Sequence, residues 1–204
     1  MAGLRAAQKE MTRRLLLTTA LETFEAKGYA ATTVDDIASA AGTTRVTFYA
    51  YFPSRSDLMR ALIAELNGIL ERTASEQHGS TAHDLVTAVR DGSRDAIGAW
   101  LVERSKQWEA IRPYTVAAFE AAAVDPELRG LVDRWIEEVA GDVEEGLDAA
   151  GRFEPGTRHM RGVLAFAQLD HVARTWAHGR DREELDRMLD VLTESWWHLL
   201  SDED

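Results

Sequence analysis

The stretch Ile37-Ala38-Ser39-Ala40-Ala41-Gly42-Thr43-Thr44-Arg45-Val46-Thr47-Phe48-Tyr49-Ala50-Tyr51-Phe52-Pro53 decides the fold. Thr33-Val34-Asp35-Asp36 stands just before it and reads as a capping-box start, with Thr33 as the cap and Asp36 three residues on. The helix so opened is short: Val34, Ile37, Ala38 and Ala41 form its apolar face before Gly42. Thr43-Thr44 caps a second short helix that runs to Tyr49–Tyr51, and Pro53-Ser54 closes it. Two short helices joined at a glycine, the first apolar and the second polar-faced, are the pattern of a helix-turn-helix. One side of the second helix must pack on a bundle, and Val46 and Phe48 are expected there, with Phe52 just beyond. Its other side carries Thr44, Arg45 and Thr47, small polar and cationic groups suited to base edges and phosphates. Arg45 is either a bidentate donor to guanine or a solvated surface cation. The Tyr49 and Tyr51 hydroxyls either reach phosphate oxygens or belong to ordinary packing.

Outward from this segment the chain reads as helix throughout. Upstream, a helix is expected from about Thr12 to Lys27, with Leu17, Ala20, Leu21 and Phe24 on one face and Gly28 at its end. Downstream, Ser54-Arg55-Ser56-Asp57 caps a helix to Gln77, ended by His78-Gly79. Thr81-Ala82-His83-Asp84 starts a long helix to about Trp108, and Pro113 separates it from a shorter one over Tyr114 to Val124. Asp125-Pro126-Glu127 opens a helix to about Ala150, another spans about Thr157 to His178, and the last follows Asp181-Arg182-Glu183-Glu184. No sustained alternation marks a strand. The fold class is all-α with about nine helices, divided into an N-terminal helix-turn-helix domain (1–53) and a larger helical domain (54–204).

Composition narrows the function. The 204 residues include no cysteine, which excludes disulfides, thiolate zinc sites and iron–sulfur clusters. No apolar run approaches the roughly 18 residues of a membrane span, and no secretory signal is visible, so a soluble cytoplasmic protein without a membrane partner is expected. The net charge of −12 argues against nucleic acid until its distribution is considered. Residues 1–60 hold eight basic against six acidic side chains, whereas the other 144 hold 15 against 29. A polyanion would meet one end of such a chain and be repelled by the rest. The histidines (78, 83, 159, 171, 178, 198) show no chelating spacing: His171 and His178 are two helical turns apart, and no HExxH pattern occurs. With no GxSxG, P-loop or GxGxxG either, no metal, cofactor or catalytic residue is expected.

The segment Gly28 to Leu58, G-Y-A-A-T-T-V-D-D-I-A-S-A-A-G-T-T-R-V-T-F-Y-A-Y-F-P-S-R-S-D-L, resembles the DNA-binding domain of the TetR family of transcriptional repressors. Its T-F-Y-x-Y-F-P-S-R portion, Thr47 to Arg55, is similar to the branch that contains the ethionamide-resistance repressor. The resemblance implies that Thr44, Arg45 and Thr47 face the major groove, and that Thr33, Tyr49, Tyr51 and Arg55 contact phosphates. Backbone N–H groups at the helix starts near Thr33 and Arg55 are expected to serve as anion sites as well. Thr43 joins the DNA-facing set, although the family usually has an apolar residue there. Val46 stands where glycine is frequent, and Arg55 replaces the usual lysine.

All six tryptophans lie beyond residue 60. Large aromatics at helical spacing are either core or the lining of a cavity between helices. Trp100, Trp108, Tyr114, Phe119 and Phe166 are the candidate effector residues, and the resemblance implies a small, lipophilic effector. Asp170, an acid in an apolar run, is either a polar anchor for that effector or a partner for a neighbouring helix. The last two helices carry stripes too wide for one partner, since adjacent Trp196 and Trp197 must point about 100° apart. Those stripes suit either a wholly internal core or a four-helix homodimer interface built on Val172, Trp176, Leu189, Leu192, Trp196 and Leu200. The expected function is a homodimeric, ligand-responsive repressor on a palindromic double-stranded DNA operator. The rivals are an all-α small-molecule carrier without DNA binding and an enzyme on the same scaffold.

Overall fold

The helical periodicities and caps of the sequence are realised in a computed structural model that describes residues 2–70, 82–176 and 181–202. Every element among the described residues is an α-helix: α1 Ala2–Lys27, α2 Val34–Ala40, α3 Arg45–Tyr51, α4 Arg55–Ile69, α5 Ala82–Asp91, α6 Arg94–Ser105, α7 Trp108–Val124, α8 Pro126–Ala150, α9 Pro155–Trp176 and α10 Arg182–Leu200. The all-α expectation holds, with ten helices in place of nine. The expected end of α4 at Gln77 to Gly79 and the Thr81 cap lie outside the described residues, as do Ala177 and His178.

Three boundaries differ from expectation. The long helix to Trp108 is two helices, α5 and α6, because Gly92 takes a left-handed backbone (φ 74°) and the Ser93 hydroxyl accepts from the Ala96 amide as a new N-cap. Pro113 lies inside α7 rather than before it. That helix starts five residues earlier, at Trp108, and tertiary packing outweighs the one amide that proline removes. α1 begins ten residues before Thr12, and residues 3–11 of it are exposed.

By their packing the residues form two compact units. The first comprises 1–66 and 113–132, and the second 67–112 and 133–204. Thus α4, α7 and α8 each give residues to both. In the first unit Leu16, Leu17, Ala20 and Phe24 of α1 are buried, as are Ile37, Ala38 and Phe48 of the short helices. The core of the second unit gathers Leu85, Val89, Ile97, Leu101, Trp108, Val143, Leu147, Ala165, Val172, Leu189, Leu192, Trp196 and Leu200. No described helix is long and apolar enough to cross a membrane.

Candidate nucleic-acid interface

α2 owes its start to a closed capping box. The Thr33 hydroxyl accepts from the Asp36 amide (3.1 Å), and the Asp36 carboxylate accepts from the Thr33 amide (2.9 Å). Lys27 Nζ donates to the same carboxylate at 2.7 Å. Together, Lys27 first and Thr33 second, they hold the Asp36 carboxyl far below the usual carboxylate range. The chain then turns at Gly42 (φ 64°), where the Thr43 amide reaches back to the Ala38 carbonyl at 2.8 Å. Thr44 caps α3 by accepting from the Thr47 amide at 3.2 Å, and the two threonine hydroxyls lie 3.1 Å apart.

Phe48 anchors α3. It is fully buried, with Tyr49 edge-on at 5.5 Å and Phe52 at 5.9 Å between ring centroids. Arg13 of α1 lies over the Phe52 ring. With this face sealed, Thr44, Arg45, Val46 and Tyr49 are exposed, and Thr43, Thr47 and Tyr51 are half-buried. The Arg45 guanidinium sits over the Tyr49 ring at 5.7 Å and pairs with Asp35 of α2 at 3.3 Å. Contact with Tyr49 and then Asp35 raises its pKa further above the ordinary arginine value, so its charge is permanent.

One expectation is corrected here. Val46 does not pack on the bundle: it is 79% exposed, because on a helix two residues from Phe48 is about 200° away from it. Arg55, expected at a phosphate, is engaged within the chain through one guanidinium nitrogen. Its guanidinium donates to the Tyr29 carbonyl (2.9 Å) and the Thr32 carbonyl, and lies 4.1 Å over the Tyr29 ring, bracing the α1–α2 loop. Each of the helix starts near Thr33 and Arg55 has an amide engaged by a local side chain. At the first the Asp36 carboxylate accepts from the Thr33 amide; at the second Ser54 donates to Asp57, whose amide returns the bond. Thr33 stays exposed, with its amide and hydroxyl both engaged.

This head is held by α7 and the start of α8. The Glu120 carboxylate accepts from the Tyr29 amide at 2.7 Å, Ser56 donates to Asp125 at 2.5 Å, and Arg60 pairs with Asp57 and Glu127. The contacts of Glu120, Asp125 and Glu127 had no local sequence signal, since each spans more than sixty residues.

The candidate effector residues fall in both units. In the first, Tyr114 and Phe119 are half-buried, and burial followed by the neighbouring Glu65 carboxylate pushes the Tyr114 phenol up. In the second, Trp108 is a core residue and Trp100 stacks on Trp196 at 5.5 Å, while Phe166 is half-buried. Asp170 is bound bidentately by Arg174 one turn along its own helix. An open groove of about 340 Å³ between α6 and α10 is lined by residues such as Arg94, Asp95, Gly98, Leu189 and Thr193, and by none of the six candidates. His159 contacts Glu137 and Glu144, and among the described residues no group of three such side chains is placed to hold a metal ion.

The residues expected at a dimer interface fall mainly in the interior of the second unit. Val172, Leu189, Leu192, Trp196 and Leu200 are buried in the chain's own core, and the Trp176 side chain lies outside the described residues. What the last two helices leave exposed is Met160, Leu164 and Val191.

Residues 16–62, which hold this capped and turned arrangement, match the family model for bacterial regulatory proteins of the tetR family. Over that segment the chain carries the TetR family's DNA-binding pattern. It is 28% identical over 194 residues to the HTH-type transcriptional regulator SrpR of Pseudomonas putida, covering 95% of this chain and 72% of that one. With the regulator EthR of Mycolicibacterium smegmatis it shares 31% identity over 126 residues, 59% of this chain and 54% of the relative. A TetR-like transcriptional regulator from Rhodococcus sp. RHA1 has the same fold, with a TM-score of 0.68 at 18% identity over 94% of this chain and 97% of that one. With this segment and these relatives, the chain is a transcriptional regulator with a helix-turn-helix for DNA.

Proposed function

We propose that this regulator is a cytoplasmic repressor that grips a palindromic operator as a homodimer and lets go when a small lipophilic effector binds. One observation carries the reading: Thr44, Arg45 and Val46 stand exposed, with Thr47 half-buried beside them, at the start of a helix whose opposite side is sealed by Phe48. Such a helix can enter a major groove, and its symmetry mate would enter the next, about 34–36 Å away. Arg45 is the base-reading cation; Thr44 and Thr47 flank it. Tyr49, Tyr51 and the basic side chains of α1, among them Arg5 and Lys9, supply phosphate contacts. Function divides at 53/54, residues beyond it serving the effector and the second copy.

A dimer is supported by α9 and α10. Met160 and Leu164 are one turn apart on α9 and 64% and 55% exposed; Val191 of α10 is 64% exposed. Ser195 bonds Gln168 at 3.1 Å, which ties the two helices side by side along this face. Two such pairs make a four-helix interface. An effector acts only if it binds the non-DNA state better. The rods that would carry its influence are α4, α7 and α8, which have residues in both units and grip the reading head through Glu120, Asp125 and Glu127.

The test is gel-shift binding to the DNA upstream of its own gene, with and without lipophilic compounds. Retardation that Arg45→Ala abolishes, that falls steeply with salt and that a compound relieves is the expected result. Retention of no palindromic DNA, or a flat salt response, would overturn the proposal.

A further inference from the structure

We infer that Val46 reads a thymine methyl in the operator, a specificity contact that rests on the DNA-binding reading above. Val46, at 79%, is the most exposed large apolar side chain among the described residues. It is there by geometry and not by accident of a loose end: α3 is capped by Thr44 and pinned by Phe48, so the outward direction of Val46 is fixed. Ala50, one turn on, continues the same exposed stripe. Along one flank run Arg45 and Tyr49, in contact with each other, and along the other Thr47, bonded to Thr44. An apolar strip between two polar ones is what the outermost line of α3 offers a groove.

The major groove presents hydrogen-bonding atoms on every base edge and a single kind of apolar group, the C5 methyl of thymine. A valine can neither donate nor accept, so against guanine, adenine or cytosine it desolvates a polar atom and returns nothing. Against a thymine methyl both partners leave water together. Arg45 beside it supplies the polar half of the readout. The pair therefore asks for a thymine next to the base that Arg45 addresses, in each half-site.

The experiment starts from the operator selected out of random duplex DNA by the full-length wild-type protein. Each thymine is then replaced by deoxyuridine in both half-sites, which removes the methyl and nothing else. We expect one thymine per half-site whose replacement weakens wild-type binding by roughly fourfold per half-site, the worth of one buried methyl group. Val46→Ala should bind the thymine and uracil forms of that position equally and keep the wild-type response at every other position. Its thermal midpoint should match wild type, because the side chain it shortens touches solvent. If no deoxyuridine effect disappears in Val46→Ala, the inference falls while the repressor reading stands. If selection enriches no sequence at all, the repressor reading falls and takes this inference with it.

Discussion

Asp36 shows how one side chain can serve local order and charge balance at once. It closes the α2 capping box and neutralises Lys27 at the end of α1. Because its folded pKa lies below the ordinary carboxylate value of about 4, its contribution is complete at neutral pH. It starts to fade as pH drops through that value and is lost only in stronger acid. Asp36→Asn should therefore lower the thermal midpoint at pH 7, and the gap to wild type should close as the solution is acidified; a gap independent of pH would show that charge is not what the carboxylate supplies. Thr33→Ala, which removes the other half of the box, should cost about 1 kcal/mol. This box was legible in the sequence because its partners are three residues apart. Val46 and Arg55 were not, for different reasons. An apolar residue in a periodic count is assigned inward by default, and only the angular distance from Phe48 turns Val46 out. The carbonyls that hold Arg55 belong to Tyr29 and Thr32, more than twenty residues away, and a cation in a motif does not announce such partners.

Elements were read well where a cap or a turn residue marked them, and poorly where packing decided. The Thr33, Thr44 and Asp125-Pro126 starts sit where the side-chain chemistry put them. Gly92-Ser93 carried an equally good stop and start, yet a continuous apolar pattern on either side masked it. The opposite happened at Pro113, a breaker that α7 absorbs. Close approach of helices has no periodic signature at all. In the second unit, a Cβ built on Gly162 of α9 would meet the Ala140 carbonyl of α8 at less than van der Waals distance, and that atom is backbone and cannot swing aside. Gly162→Ala should thus force the two helices apart and cost about 1–3 kcal/mol in denaturant unfolding. Gly141, a neighbour of Ala140 in the same helix, has open space at its Cβ position. Gly141→Ala should stabilise by roughly 0.5–1 kcal/mol through helix propensity alone. Opposite signs for two identical substitutions separate contact from propensity; equal signs would mean that α8 and α9 do not approach this closely.

For the molecule as a whole, the sequence told that α9 and α10 have more apolar surface than one partner can cover, but not which part faces inward. Counting apolar residues ranks Leu189, Leu192, Trp196 and Leu200 above Met160, Leu164 and Val191; the chain buries the first set in itself and leaves the second to solvent. The choice depends on α6, whose Trp100 stacks on Trp196 and whose Gly98 lies against Thr193. That pairing joins residues about a hundred positions apart. In the proposed homodimer a second copy would use the outer set, which gives that proposal a test that the inner set cannot provide. Changing Leu192 or Trp196 would unfold the monomer, by about 2–5 kcal/mol for truncation to alanine, and say nothing about assembly. Leu164→Glu with Val191→Glu touches side chains already more than half exposed, so far-UV dichroism and the thermal midpoint at low concentration should stay near those of the wild-type chain. Sedimentation should nevertheless show the mass halved, since four like charges would face one another across the two-fold axis. Palindromic DNA should be lost in step, because one recognition helix alone covers one half-site. A double variant that still sediments as a dimer would move the interface elsewhere on the chain, and one that is monomeric yet binds the full operator undiminished would separate DNA binding from assembly.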